Sequence, residues 1–204
     1  MNYFKTLIPF TLLFICLSSC QSLLMSVTGI HNPKKVTNEE IMVCAKQFAI
    51  ENENVYVIDT ISYWDFVADL KKTDSLTFKN LMQPLQMKIF SGKDSLLCYL
   101  LNCNVGGLPN LKWNRYHSLE TFPPTSPPIT PVKYTLPLNK DTQFYKPIKT
   151  IAADSTPDAT VVVFWSKMMG RQSKVLINEA LAYRNRFKQY HLRILFVNTD
   201  NLYL

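Results

Sequence analysis

The sequence lacks most of the signatures that announce an enzyme. No two cysteines form a Cys-x-x-Cys pair and no two histidines a His-x-x-x-His pair; His31, His117 and His191 are scattered. Neither a zinc site nor a paired redox motif is therefore expected. A Gly-rich phosphate loop and a Gly-x-Ser-x-Gly elbow are also missing. On these grounds no metal or cofactor is expected. Dense Lys/Arg runs are absent, and with them the basic zinc-finger and RNA-binding patterns, which argues against nucleic acid as a partner. No internal repeat appears at solenoid spacing. Acidic pairs such as Glu39-Glu40 fit the electrostatics of a helix start better than acid catalysis.

What is present suits a folded chain. The 204 residues suffice for one ordinary domain or two small ones, and 47% hydrophobic against 18% charged residues can bury a core. The net charge of +7 suits an anionic membrane surface or acidic partners. The N-terminus is the most readable part. Met1 to Lys5 is a short basic lead, and Thr6 to Ser19 is an apolar stretch of signal-peptide length. It is too short, and interrupted by Pro9, for a membrane span. It ends in Leu17-Ser18-Ser19-Cys20, which resembles a bacterial lipobox. The resemblance implies that residues 1–19 are a lipoprotein signal peptide, and that Cys20 is diacylated and becomes the new N-terminus. Several acyl chains on one residue hold far more firmly than one, since each buried methylene adds about 0.8 kcal/mol. A membrane-anchored protein of the cell envelope, on its periplasmic or surface face, is expected. An ordinary secretory signal, or an uncleaved anchor with Cys20 as a bystander, is the alternative. Cys44, Cys98 and Cys103 then remain, and an oxidising compartment suggests one disulfide and one free thiol.

Residues 20–36 show no period and read as a tether. Over 37–103 the pattern is helix, strand, helix, hairpin. Thr37-Asn-Glu-Glu40 has capping-box spacing, and Ile41, Cys44, Ala45 and Phe48 share a helical face. Cys44 thus reads as a core residue. Val55–Ile58 is a buried strand; Ser62 can cap a second helix carrying Tyr63, Phe66, Val67 and Leu70 on one face. Residues 86–90 and 96–100 form a hairpin whose turn takes its freedom from Gly92. Residues 104–142 hold Gly106, Gly107 and a crowd of prolines from Pro123 to Pro137, and read as a semi-extended linker. Residues 143–204 are regular again. They show a short strand from Lys146, a continuous apolar strand at Thr160–Trp165, a helix from Gln172 to Tyr190 and a strand at Leu192–Val197. The two outer strands and their helix make a βαβ unit, with Trp165 expected in its core.

The stretch Phe164-Trp165-Ser166 after a hydrophobic strand, the following helix, and Val197-Asn198-Thr199-Asp200 at the end of the next strand resemble the first half of a thioredoxin-like domain. The likeness covers about a fifth of the chain. It implies an α/β fold with a mixed sheet flanked by helices. The upstream hairpin half then either joins the same sheet, with the two halves in swapped sequence order, or stands as a separate subdomain. Ser166 replaces an Ala of the family pattern, and Met168 its second Trp. Met169 and Gln172 fall where the two redox cysteines belong, with Gly170 and Arg171 between them. Redox chemistry there needs a low-pKa thiolate and a resolving thiol, and neither is present.

The resemblance therefore implies a non-catalytic lipoprotein that binds a protein or peptide partner at the envelope, or serves there structurally. The four residues Met169–Gln172 are either a docking surface or a space-filling remnant. The competing reading is a thiol-disulfide oxidoreductase using Cys98 and Cys103. Their Cys-x4-Cys spacing is not the redox motif, and a structural disulfide or two unpaired core thiols account for them more simply.

Overall fold

The computed structural model describes residues 29–103, 112–127, 136–149 and 156–204. The signal segment 1–19, Cys20 and the first part of the tether lie outside the described residues. Helix α1 (Asn38–Gln47) begins at a complete capping box: the Thr37 hydroxyl accepts from the Glu40 N–H at 3.3 Å, and the Glu40 carboxylate from the Thr37 N–H at 3.0 Å. It buries Ile41, Cys44 and Ala45. Strand β1 (Val55–Ile58) leads into α2 (Thr60–Thr73), which starts earlier than the sequence suggests. Asp59 takes the cap position, held by Lys146 at 2.7 Å, and Ser62 lies inside the first turn, donating to Asp59 at 3.0 Å. A short α3 (Ser75–Leu81) follows, capped by Asp74.

The remaining elements are β2 (Gln86–Ser91), β3 (Leu96–Leu101), α4 (Leu138–Asp141), β4 (Tyr145–Pro147), β5 (Ala159–Trp165), α5 (Gly170–Arg186) and β6 (Leu192–Asn198). All six strands form one sheet in the order β3-β2-β5-β6-β1-β4. Strands β5, β6 and β1 run parallel, and β2, β3 and β4 join antiparallel to their neighbours. The hairpin half and the βαβ half therefore share one sheet, through six paired positions from Gln86 opposite Phe164 to Ser91 opposite Ala159. The result is an α/β fold with a mixed sheet flanked by helices, consistent with a thioredoxin-like architecture. In the hairpin turn the left-handed residue is Asp94, with φ 65°. Gly92 is required for a different reason: a Cβ there would stand 2.5 Å from the Pro157 carbonyl oxygen.

Side chains alternate between two cores, as the pleat dictates. One face gathers Val161, Val163, Trp165, Ile194 and Phe196 under α1 and α5; the other gathers Val162, Phe164, Leu195 and Val197 under α2 and α3. Strand β5 is buried along its whole length, and Trp165 is fully buried, edge-on to Phe48 at 5.8 Å. Helix α5 ends at Arg186, so Tyr190 leaves the helical face and stacks on Phe122 at 3.9 Å. Residues 112–127 are not the free linker their proline content suggests. Trp113 and Leu119 are buried in the first core, Phe122 packs against it, and Arg186 donates to the Leu119 carbonyl at 2.7 Å. Proline forbids ladder hydrogen bonds but not burial, and here the segment covers a sheet face as irregular backbone.

The second core holds a charge. Lys88 shares the face of Phe90 on β2, so the pleat turns it inward, where it donates to Asp141 at 2.7 Å with both side chains about 5% exposed. Its ammonium also lies 5.0 Å from the Phe164 ring centre and 5.7 Å from that of Tyr99. Tyr145 donates to the other Asp141 oxygen. Removing one partner of a buried pair strands the other charge. We expect Asp141→Ala to lower stability by about 3–5 kcal/mol in urea denaturation. The double change Lys88→Met with Asp141→Leu should restore most of it, and equal losses in both variants would mean that the charges themselves are not what is held.

Candidate functional site

The C-terminal ends of β1, β5 and β6 lie at one pole of the sheet, the position at which open α/β sheets bind their ligands. The turn from Ser166 to Gly170 and the segment from Thr199 to Leu204 meet there. Asp200, 3% exposed, fixes the arrangement. Its carboxylate accepts from the Ser166 hydroxyl at 2.6 Å, the Lys167 N–H at 2.7 Å, the Met168 N–H at 2.9 Å and the Asn198 amide at 2.8 Å. Ser173, on the first turn of α5, closes the loop from the other side. Its hydroxyl donates to the Ser166 carbonyl at 2.6 Å and accepts from the Ser166 N–H at 3.1 Å. Ser166 is thus the residue through which the turn is stapled.

Residues 29–36 run across this pole as a strap. The His31 N–H donates to the Met168 carbonyl at 2.8 Å, and Val36 and Asn201 exchange two hydrogen bonds of 2.9 and 3.0 Å. Gly170, with φ 43°, faces Gly29 so closely that a Cβ would lie 2.4 Å from the Gly29 carbonyl oxygen. Between this strap and the turn is a cavity of about 290 Å³, lined by His31, Lys34, Lys35, Glu40, Lys167 and Met168, with Asp200 at its base. Lys167 and Glu40 pair across it at 3.3 Å.

The four positions Met169 to Gln172 fare differently. Met169 is 6% exposed and packs in the first core, and Gln172 is 9% exposed. Gly170 is half-buried against the strap, and Arg171 is exposed. Methionine at the helix N-terminus offers a thioether where a thiolate would profit from the helix dipole. Met169 therefore packs in the core, while of the other residues read as a docking surface Met168 is half-buried and Arg171 exposed.

The cysteines do not replace it. Cys44, Cys98 and Cys103 are all free thiols, so Cys98 and Cys103 are not bonded. The reason is geometric. Cys98 points from β3 into the first core, whereas Cys103 is only half-buried. Cys103 lies past the strand end, where its N–H donates to Gln83 at 2.7 Å. Burial pushes the Cys98 thiol up to about 12 and raises that of Cys103. Cys44 is raised by burial, then by the nearby Asp200 charge. None is poised as a nucleophile. Among the described residues no cluster of His, Cys, Asp and Glu could hold a metal ion.

Sequence reasoning placed Asp200 at a matching strand end but missed its role, and missed Lys88 and Asp141 altogether. The signal for the first was the pairing of Ser166 with Asp200, two polar residues each placed just past the end of an apolar strand. Comparison with protein-family models, curated proteins and solved structures finds no match.

Asp200→Ala leaves two backbone N–H groups and two side chains without their acceptor. A loss of about 2–4 kcal/mol is expected in urea denaturation, and an unchanged midpoint would mean the turn holds itself. For Cys98, a folded value of about 12 leaves roughly one molecule in ten thousand as thiolate at pH 8. Since that value is raised from 9.0, the stability tied to the neutral thiol is complete below pH 9 and drains as pH climbs toward 12. A disulfide reagent at pH 8 should label Cys98 only as fast as the protein opens; labelling at the rate of a free thiol would show that the core does not shield it.

Proposed function

We propose that the chain is a non-catalytic, thioredoxin-like lipoprotein of the bacterial cell envelope, held on a membrane through Cys20 and acting as a structural or protein-binding scaffold. The observation that carries this reading is the state of the turn. The positions of the two redox cysteines hold Met169 and Gln172, both buried, and Asp200 fixes the turn from beneath while residues 29–36 cover it. A turn so enclosed suits a scaffold, because a redox turn must expose a sulfur to its substrate. The membrane placement draws on the lipobox-like Leu17-Ser18-Ser19-Cys20.

The rival reading, thiol-disulfide exchange by Cys98 and Cys103, has the opposite requirements. It needs a thiolate of ordinary or lowered pKa and a second sulfur within reach, and burial raises both thiols here.

Two measurements test the proposal together. Insulin reduction with dithiothreitol should show no turnover above background, and Cys98→Ser should change nothing; cysteine-dependent turnover would favour the oxidoreductase. Cys20→Ala should leave the chain unprocessed or release it from membranes. If it still fractionates with membranes at mature size, the lipid anchor is wrong while the scaffold reading survives.

A further inference from the structure

We propose that the pole carrying the strap and the stapled turn rests on the phospholipid bilayer, with Trp64, Ile61 and Leu204 entering its headgroup–acyl boundary. This rests on the membrane anchor proposed above and adds which face of the protein meets the lipid. Helix α2 starts at this pole, because it follows directly from the C-terminal end of β1. Its first turns present Ile61 and Trp64, 75% and 38% exposed, three residues apart and so on one helical surface. The Trp64 indole N–H donates to the Leu202 carbonyl at 3.2 Å, which ties the helix to the chain end and Leu204, 65% exposed. Ile61, Trp64 and Leu204 give this pole an exposed apolar edge, and an amphipathic Trp suits the membrane interface.

The distance along the chain from Gly29 to Cys20 points to the occupant. Gly29 sits at this pole against Gly170, and eight residues lie between it and Cys20. Those nine steps reach at most about 30 Å. Presenting the opposite pole to the bilayer would use roughly 23 Å of that merely to run the length of the seven-residue β5. The strap also brings Lys34 and Lys35, both exposed and making no ion pair with any described residue, to the same pole. Their ammonium groups suit lipid phosphates. The acidic side chains near them are occupied: Glu40 pairs with Lys167, Asp59 with Lys146, and Asp200 accepts four hydrogen bonds. Glu39 and Asp65 remain as the opposing charges, so the apolar side chains carry the contact and the lysines orient it.

The tryptophans supply the readout. Trp113 and Trp165 are 2% and 0% exposed, so of the three indoles only Trp64 can meet a quencher in the lipid. The full protein is extracted from membranes, reconstituted into phosphatidylglycerol–phosphatidylethanolamine vesicles and collected by flotation. Spin-labelled phospholipids carrying the nitroxide near the headgroup are then added. Fluorescence should fall by about a third, the share of one tryptophan in three. Trp64→Phe should abolish the fall, and Ile61→Asp should halve it or better. A floating protein whose fluorescence is indifferent to the labels overturns the proposal and leaves the anchor intact, the acyl chains being read separately from the mass of the N-terminal peptide. Quenching that survives Trp64→Phe overturns it as well. Shielding of Trp64 that appears in detergent alone and grows with protein concentration would assign the patch to a second copy and overturn the lipid contact.

Discussion

The pairing of β2 with β5 is the constraint from which the rest of the structure follows. It joins segments some seventy residues apart over six positions and puts β5 inside the sheet rather than at its edge. Once β5 is interior, both its faces must be covered, and its unbroken apolar run becomes a requirement. The same register places Lys88 opposite Val162 and beside Tyr99 on β3, under the helices of the second face. A lysine there must find a countercharge, and Asp141 supplies it from the short α4. The ion pair is therefore a consequence of the sheet order. It in turn clips residues 138–147 onto the sheet, so that β4 can extend the far edge beside β1.

Asp200 does for the pole what the strand pairing does for the sheet. A carboxylate with four donors is satisfied in place, and each donor belongs to a different part of the turn or the strand end. In a reactive turn the helix N-terminus and a nearby carboxylate would serve a sulfur. Here the same dipole faces a thioether, and the carboxylate binds backbone. Ser166 and Ser173 exchange hydrogen bonds across the start of α5, which fixes the helix to the strand without any sulfur chemistry.

Much of the architecture was legible in the sequence because the signals were local. The Thr37–Glu40 box, the apolar run of β5, the hairpin and the helical face of Leu176, Ala180 and Tyr183 each announce themselves within a dozen residues. What escaped was non-local or ambiguous. Ser62 and Asp59 are both good cap residues by type, and the helix starts after Asp59, whose carboxylate pairs with Lys146 from β4. Gly92 reads as a turn glycine, yet its constraint is the Pro157 carbonyl, distant in sequence. Proline density concealed that Trp113 and Leu119 were core residues. A single lysine in a strand reads as solvent-facing, and only the two-sided burial of β2 shows otherwise. The site was the least legible, since a staple built from Ser166, Ser173 and Asp200 leaves no contiguous motif.

The strap connects these levels. In an open α/β sheet the crevice at the carboxyl ends of the strands is where a ligand enters. In this chain residues 29–36 lie there instead, with a backbone hydrogen bond to Met168 and a two-way bond to Asn201. The fit depends on two glycines: Gly170 takes a left-handed φ that side chains resist, and no Cβ fits between it and Gly29. Turn and strap therefore specify each other. A strap that moved away would remove the acceptor of Asn201 and the donor to Met168, and a turn that changed its backbone would lose its contact with Gly29. Gly29 is thus joined to Asp200 by an unbroken set of contacts: Gly29 on Gly170, His31 on Met168, and Met168 on Asp200.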